Sequence, residues 1–191
     1  MKKLISVICA MIITATCSEI YAQTEAEMKA WMEYMTPGEI HKEMAKWDGE
    51  WNEELTMWMA PGAPAQKNTA TCVNKMILGG RYQLATHTGS FNGMPFEGMS
   101  TVAYDNVKKT FVTTWIDNMG TGMMVMEGKW DEKTKTLNSK GKQTDPMTGK
   151  DMDVRETFQI IDDNTQKMEM FMTPAGGKEY KSMEVVFTRK K

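Results

Sequence analysis

Cysteine, histidine and net charge are all scarce in this chain, and each scarcity removes a class of explanation. Three Cys occur among 191 residues, and Cys9 and Cys17 lie in an N-terminal stretch that reads as a leader. Only Cys72 would remain, so no internal disulfide can hold the fold, and the core must do so. Two His, His41 and His87, give poor support for a zinc centre or a His-rich copper site. A formal charge of −2 leaves no basic footprint for nucleic acid. Gly-x-Ser-x-Gly, a Cys–His pair at a supporting spacing, a phosphate-binding loop and a dinucleotide fingerprint are missing too.

What is present begins at the N-terminus. Lys2 and Lys3 precede the uncharged apolar run Leu4 to Thr16, and a short polar stretch leads to Ala22 before Gln23. A charged head, an apolar core and a small residue at the cut describe a secretory signal peptide over 1–22. The run is too short to span a bilayer comfortably, so no membrane span is expected after cleavage. The mature protein is expected to begin at Gln23 and to be periplasmic or secreted. Lipidation at Cys17 is the weaker alternative, because Thr16 is bulkier than the small residue such sites carry. Residues 23–191 suffice for one domain.

A helical segment is expected over 23–46. Met28, Trp31, Met32 and Met35 recur at helical spacing, and Thr36-Pro37-Gly38-Glu39 reads as the start of a second helix with Thr36 as its cap. From 47 to 191 the apolar period is two, and strands are expected near 49–59, 67–78, 81–91, 96–104, 110–117, 122–130, 136–144, 151–161, 166–173 and 180–189. Tyr104-Asp105, Trp130-Asp131 and Ile161-Asp162 each introduce a polar loop and a new strand, as in a meander of hairpins. About ten short antiparallel strands in hairpin order predict a mainly β, up-and-down barrel, with a flattened two-sheet sandwich as runner-up. A barrel of that strand number can enclose a cavity.

Gly49-Glu50-Trp51, Leu78-Gly79-Gly80-Arg81-Tyr82, Phe96-Glu97-Gly98, Tyr104-Asp105-Asn106, Thr114-Trp115-Ile116-Asp117, Glu127-Gly128, and Tyr180-Lys181 leading to Phe187-Thr188-Arg189-Lys190 occur in that order. Together they resemble a bacterial domain-of-unknown-function family, number fifteen seventy-nine, grouped with lipocalin-like barrels. The resemblance runs from about Thr36 to Lys190 and implies a calycin-like (lipocalin-like) β-barrel. It carries no reaction, substrate or catalytic residue. It does imply a structural plug in which Arg189 packs over Trp51 and closes one end, worth about 0.5–2 kcal/mol.

The compositional outlier is methionine, with 21 residues. Met168, Met170 and Met172 share one strand face, and three thioethers together suit Cu(I). An adaptable apolar lining explains the same residues without a metal, and neither metal nor cofactor is expected. Trp115 and Asp117 share a face at a strand end, where Asp117 can orient a polar ligand or bond the following turn. Glu156 lies in the apolar face of Met152, Val154, Phe158 and Ile160, and a carboxylate there needs a partner or neutrality. Lys181 and Arg189 read as in phase and as candidate partners. His87, in phase with Arg81, Gln83 and Ala85, reads as exposed on an outer or wet face, with haem ligation a remote alternative. Cys72 reads as a small packed residue.

Three functions remain open. The first is a binding module that holds a small apolar or amphipathic molecule against Trp115, Met124, Met126 and Phe158, with Asp117 or Glu156 orienting it. The second is an enzyme using inward carboxylates, which needs two titratable groups converging on one pocket. The third is a structural or interaction protein docking through the helix at 25–35. The oligomeric state is not legible.

Overall fold

From Gly49 onward, runs of alternating side chains end in residues that turn the backbone, so each strand folds back on its predecessor. The structure is a computed structural model that describes residues 24–191; the expected leader, its cleavage after Ala22 and Cys17 lie outside them. The strands are β1 (Gly49–Met57), β2 (Gln66–Ile77), β3 (Tyr82–Phe91), β4 (Met94–Asp105), β5 (Thr110–Asp117), β6 (Met124–Asp131), β7 (Thr136–Thr144), β8 (Asp151–Asp162), β9 (Thr165–Thr173) and β10 (Tyr180–Arg189). Each pairs antiparallel with the next, and β10 returns to β1, with Trp51 opposite Arg189 and Met57 opposite Met183. The sheet is a closed ten-strand barrel, so no backbone edge stays unpaired, and the sandwich alternative falls.

The repeated Asp is the turning device. Asp105 Oδ1 accepts the N–H groups of Val107 and Lys108 at 2.8 Å, Asp131 Oδ1 that of Lys133 at 2.9 Å, and Asp162 Oδ1 that of Asn164 at 2.8 Å. Asp117 and Asp145 do the same for Met119 and Met147 at 2.9 Å. Each carboxylate satisfies donors that the turn would otherwise leave open. Backbone N–H groups accordingly hold Asp105 and Asp131 below the usual carboxylate range. Between β2 and β3 the device differs: Leu78, Gly79 and Gly80 all have positive φ, and glycine takes two of these positions without a Cβ penalty.

One end of the barrel is sealed. Helix α1 spans Glu25–Met35 and helix α2 spans Glu39–Ala45. Helix α2 buries His41 and Met44. The Met44 carbonyl accepts from Gln83 Nε2 at 2.8 Å, and its side chain packs with Phe111 and Leu137 inside a ring that includes Trp47, Trp130 and Phe158. Full burial of one such side chain contributes about 1.5–3 kcal/mol. At the same end Arg189 lies 4.2 Å over the Trp51 ring and donates to the carbonyls of Lys46, Asp48 and Asp163 at 2.8, 2.7 and 3.0 Å. The opposite end is built from the connections 58–65, 92–93, 118–123, 145–150 and 174–179, and no described helix covers it.

Two local expectations are corrected. Thr36 does not open α2: its hydroxyl donates back to the Met32 carbonyl at 2.5 Å and closes α1, and Gly38 is the cap of α2. Lys181 and Arg189 are not in phase. A bulge between Lys181 and Met183 adds one residue to β10 and reverses the facing beyond it. Lys181 therefore bonds Glu169 and Glu184 at 2.7 and 2.6 Å, where Lys167 joins the same two carboxylates, and it is unavailable to Glu156. Helix α1 forms as read, with a capping box from Thr24 and Glu27, but none of its residues is buried. Met28, Trp31, Met32 and Met35 stay exposed, and Asn106 ties the helix end through the carbonyls of Glu33, Tyr34 and Thr36.

Candidate functional site

The barrel interior gathers the polar side chains that alternation aims inward. The first correction concerns β3. Gln83, Ala85 and His87 point into the barrel and are 4, 8 and 9% exposed, so of the two facings left open, outer or cavity wall, the inner one holds and the exposure expected of His87 does not. Its polar groups are tolerated there because each has a partner. Gln83 bonds Met44 O and Asp48 Oδ1. His87 Nδ1 lies 2.7 Å from Glu53 Oε1, and Glu53 is 3% exposed. Across the lumen wall, His87 Nε2 stands 3.9 Å from Cys72 Sγ.

Strand pairing produces this set. β1 and β2 place Trp51 opposite Cys72, and β2 and β3 place Cys72 opposite His87. Glu53 is two residues beyond Trp51 and shares its facing. Cys72 is packed, as expected, but in polar company: its thiol donates to Asn74 Oδ1 at 3.0 Å. Burial, with the Glu53 charge in support, pushes the thiol up to about 12. The amide of Asn74 is oriented by donation from Nδ2 to Trp47 O at 3.2 Å.

Trp115 covers His87. The two rings meet edge-on with centroids 5.0 Å apart, and Phe96 stacks on the indole at 6.4 Å. Trp115 crosses β4 at Gly98, where an added Cβ would stand 2.7 Å from the indole. Asp117 fixes the ring by accepting Trp115 Nε1–H at 2.7 Å through one oxygen, and it bonds the turn through the other. Asp117 thus performs the turn role, and both its oxygens are engaged.

Glu156 lies on β8, between Ser139 of β7 and Met170 of β9. Met124, Met126, Val154 and Met170 form the buried cluster of this region, with Trp115, Met168, Met172 and Met183 packed on it. No described residue hydrogen-bonds or forms an ion pair with Glu156, so the pairing expected with Lys181 or Arg189 is absent among the described residues. Desolvation on the methionine wall pushes the carboxyl up to about 7. The side chain is nevertheless only half-buried, as are the inward Trp115, Phe158, Met168 and Met172. Met168, Met170 and Met172 do share the inward face of β9. Asp117, Glu156 and His87 share no hydrogen bond with one another.

Among the described residues, two shallow cavities lie on the outside. One, about 330 Å³, runs along β6, β7 and β8 past Glu127, Lys129, Lys140 and Arg155. The other lies among the connections at the uncovered end, beside Asp145, Thr148 and Pro174.

Residues 36–189 match the family described as a protein of unknown function, DUF1579. The chain belongs to this family. No curated protein matches it in sequence. In three dimensions it is similar to the crystal structure of Rv2717c from M. tuberculosis, at 12% identity and a TM-score of 0.62 over 82% of this chain and all of that one, a likeness of fold alone. A redesigned β-barrel aligns at 10% identity and a TM-score of 0.44, over 78% of this chain and 95% of that one. The DUF1579 barrel is consistent with a calycin-like architecture, and the site rests on its own residues.

Proposed function

We propose that this DUF1579 protein binds one small amphipathic molecule inside its barrel, with the apolar body against methionine and aromatic side chains and a polar group at Glu156. The observation that carries the reading is Glu156 itself: a carboxyl facing the lumen from a methionine-lined wall with no described partner. Near neutral pH burial keeps much of it protonated, and a carboxylic acid donates to a ligand carbonyl or hydroxyl oxygen. Met124, Met126, Phe158, Met168 and Met170 supply polarizable, adaptable wall. Trp115 lines the same lumen with its N–H already satisfied by Asp117.

Entry is through the end opposite Trp51 and Arg189. Exposed Met59, Met119, Met123 and Met147 stand on three of its five connections and exposed Met94 opens β4 beside a fourth, an apolar rim for an apolar solute. The leader expected over 1–22 supports binding in the cell envelope or outside it. Intact mass of protein recovered from the producing cells tests that point, and a chain beginning at Gln23 is expected.

Native mass spectrometry of the same material tests the binding, with one retained small molecule per chain expected. Anilinonaphthalene sulfonate is the solution probe. It should bind one site per chain, and Met170→Trp, which fills the lumen, should abolish that site. Dye binding unchanged by Met170→Trp would refute the lumen reading.

A further inference from the structure

We propose that Cys72 and His87, with Glu53 behind the imidazole, form a binding site for one thiophilic divalent cation of the zinc class. The reading is independent of the lumen ligand, because Glu156 lies on β8 and takes no part. It starts from the His87 ring. Glu53 occupies Nδ1 at 2.7 Å, and a carboxylate at that nitrogen fixes the tautomer with the hydrogen on Nδ1. Nε2 then presents its lone pair toward Cys72 Sγ, 3.9 Å away. A carboxylate–imidazole pair with the second nitrogen facing outward is how proteins orient and strengthen a histidine ligand to zinc.

The gap fits the ion. Zinc takes sulfur at about 2.3 Å and imidazole nitrogen at about 2.0–2.1 Å. Those lengths bridge 3.9 Å at an S–metal–N angle of roughly 130°, wider than tetrahedral by about 20° and closed by a few tenths of an ångström of side-chain movement. A third donor stands beside the thiol: Asn74 Oδ1 lies 3.0 Å from Cys72 Sγ, and the Asn74–Trp47 bond holds its amide. Glu53, Cys72 and His87 offer donor atoms that all lie within 4.8 Å of one another. The remaining coordination position falls to water or a solute.

The electrostatics point the same way. Glu53 and Cys72 are both buried, and Glu53 has no Lys or Arg ion pair among the described residues, so a second negative charge in the gap is disfavoured. A dication in the gap reverses the balance: it stabilises the thiolate and is itself balanced by Glu53. Binding is therefore Cys–SH plus M²⁺ giving Cys–S⁻–M²⁺ plus H⁺, with the proton going to solvent and His87 Nε2 supplying its lone pair. The Trp115–Phe96 pair shields the position from bulk water.

Cobalt(II) is the probe, because a thiolate bond to it gives a near-ultraviolet charge-transfer band. The chain is used at full length with Cys9→Ser and Cys17→Ser, so that Cys72 is its single thiol. One Co(II) per chain is expected, with the charge-transfer band, displacement by zinc(II), and about one proton released per metal in a weakly buffered titration. Cys72→Ser should remove the band. His87→Gln should weaken binding more than about 100-fold, and Glu53→Gln, which leaves both ligands, about 10–100-fold. Circular dichroism shows whether each variant is folded, and Cys72→Ser differs from the parent by one atom type. Absence of the band in the parent at stoichiometric metal, or affinities for Cys72→Ser and His87→Gln within threefold of the parent, would overturn the site. Unchanged affinity in Glu53→Gln would remove Glu53 from it.

Discussion

Glu156→Gln is the perturbation that most directly interrogates the interior. The substitution keeps shape and replaces a titratable group by a neutral one. The carboxyl is raised from 4.5 to about 7 by burial. Its folded-state value lies above its unfolded value, so folding is unaffected by this group below about pH 4.5, where both states are protonated. As pH rises to 7 the unfolded chain releases the proton first, and the native state loses stability. Above 7 the full penalty is present. A rise from 4.5 to about 7 corresponds to roughly 3–3.5 kcal/mol. The inward groups on the flanking strands are Ser139 and Met170, neither of which titrates. Glu53, Cys72, His87 and Asp117, which also titrate and point inward, are engaged with their own partners. Urea denaturation at pH 4, 6 and 8.5 is the assay. Parent and Glu156→Gln should match at pH 4, and the variant should be more stable by about 3 kcal/mol at pH 8.5, or by roughly 6–12 °C in Tm. An equal difference at both pH values would mean that the carboxyl is solvated and the methionine wall does not enclose it.

Arg189→Ala removes the cation over Trp51 and the donors to three carbonyls, and should cost about 2–4 kcal/mol by urea midpoint, with Arg189→Lys recovering less than half. Gly98→Ala forces Trp115 off Asp117 and should cost about 1–3 kcal/mol with a change in near-ultraviolet circular dichroism, whereas Thr101→Ala on the opposite face of β4 should do neither. Deleting residues 24–35 removes a helix with no buried residue, so the barrel's Tm should move by less than about 3 °C; a larger fall would show that α1 is part of the core.

The ten strands were legible because two independent signals coincide at each boundary: alternation stops, and an Asp or Gly able to satisfy or bend the backbone appears. What alternation leaves open is which parity faces inward. On β8 the apolar set names the inner face directly. On β3 it misleads, because Gln83 and His87 are inside and the polarity of the inner face comes from partners on other strands. The pairing itself decides between the two facings. Folding β2 onto β3 about Gly79-Gly80 sets Cys72 opposite His87, and folding β1 onto β2 sets Trp51, an inward residue on any reading, opposite Cys72. Inwardness then passes from Trp51 to Cys72 to His87, and within β1 from Trp51 to Glu53. Neighbouring residues in a flat list of histidines, cysteines and acids gave no such route, since Glu53, Cys72 and His87 are far apart along the chain. The same propagation fails on β10, where one inserted residue between Lys181 and Met183 reverses parity and no local composition announces it. Parity in a barrel is a long-range property: it is carried from strand to strand by register, and a single bulge is enough to put a lysine that reads as a buried partner for Glu156 on the outer face.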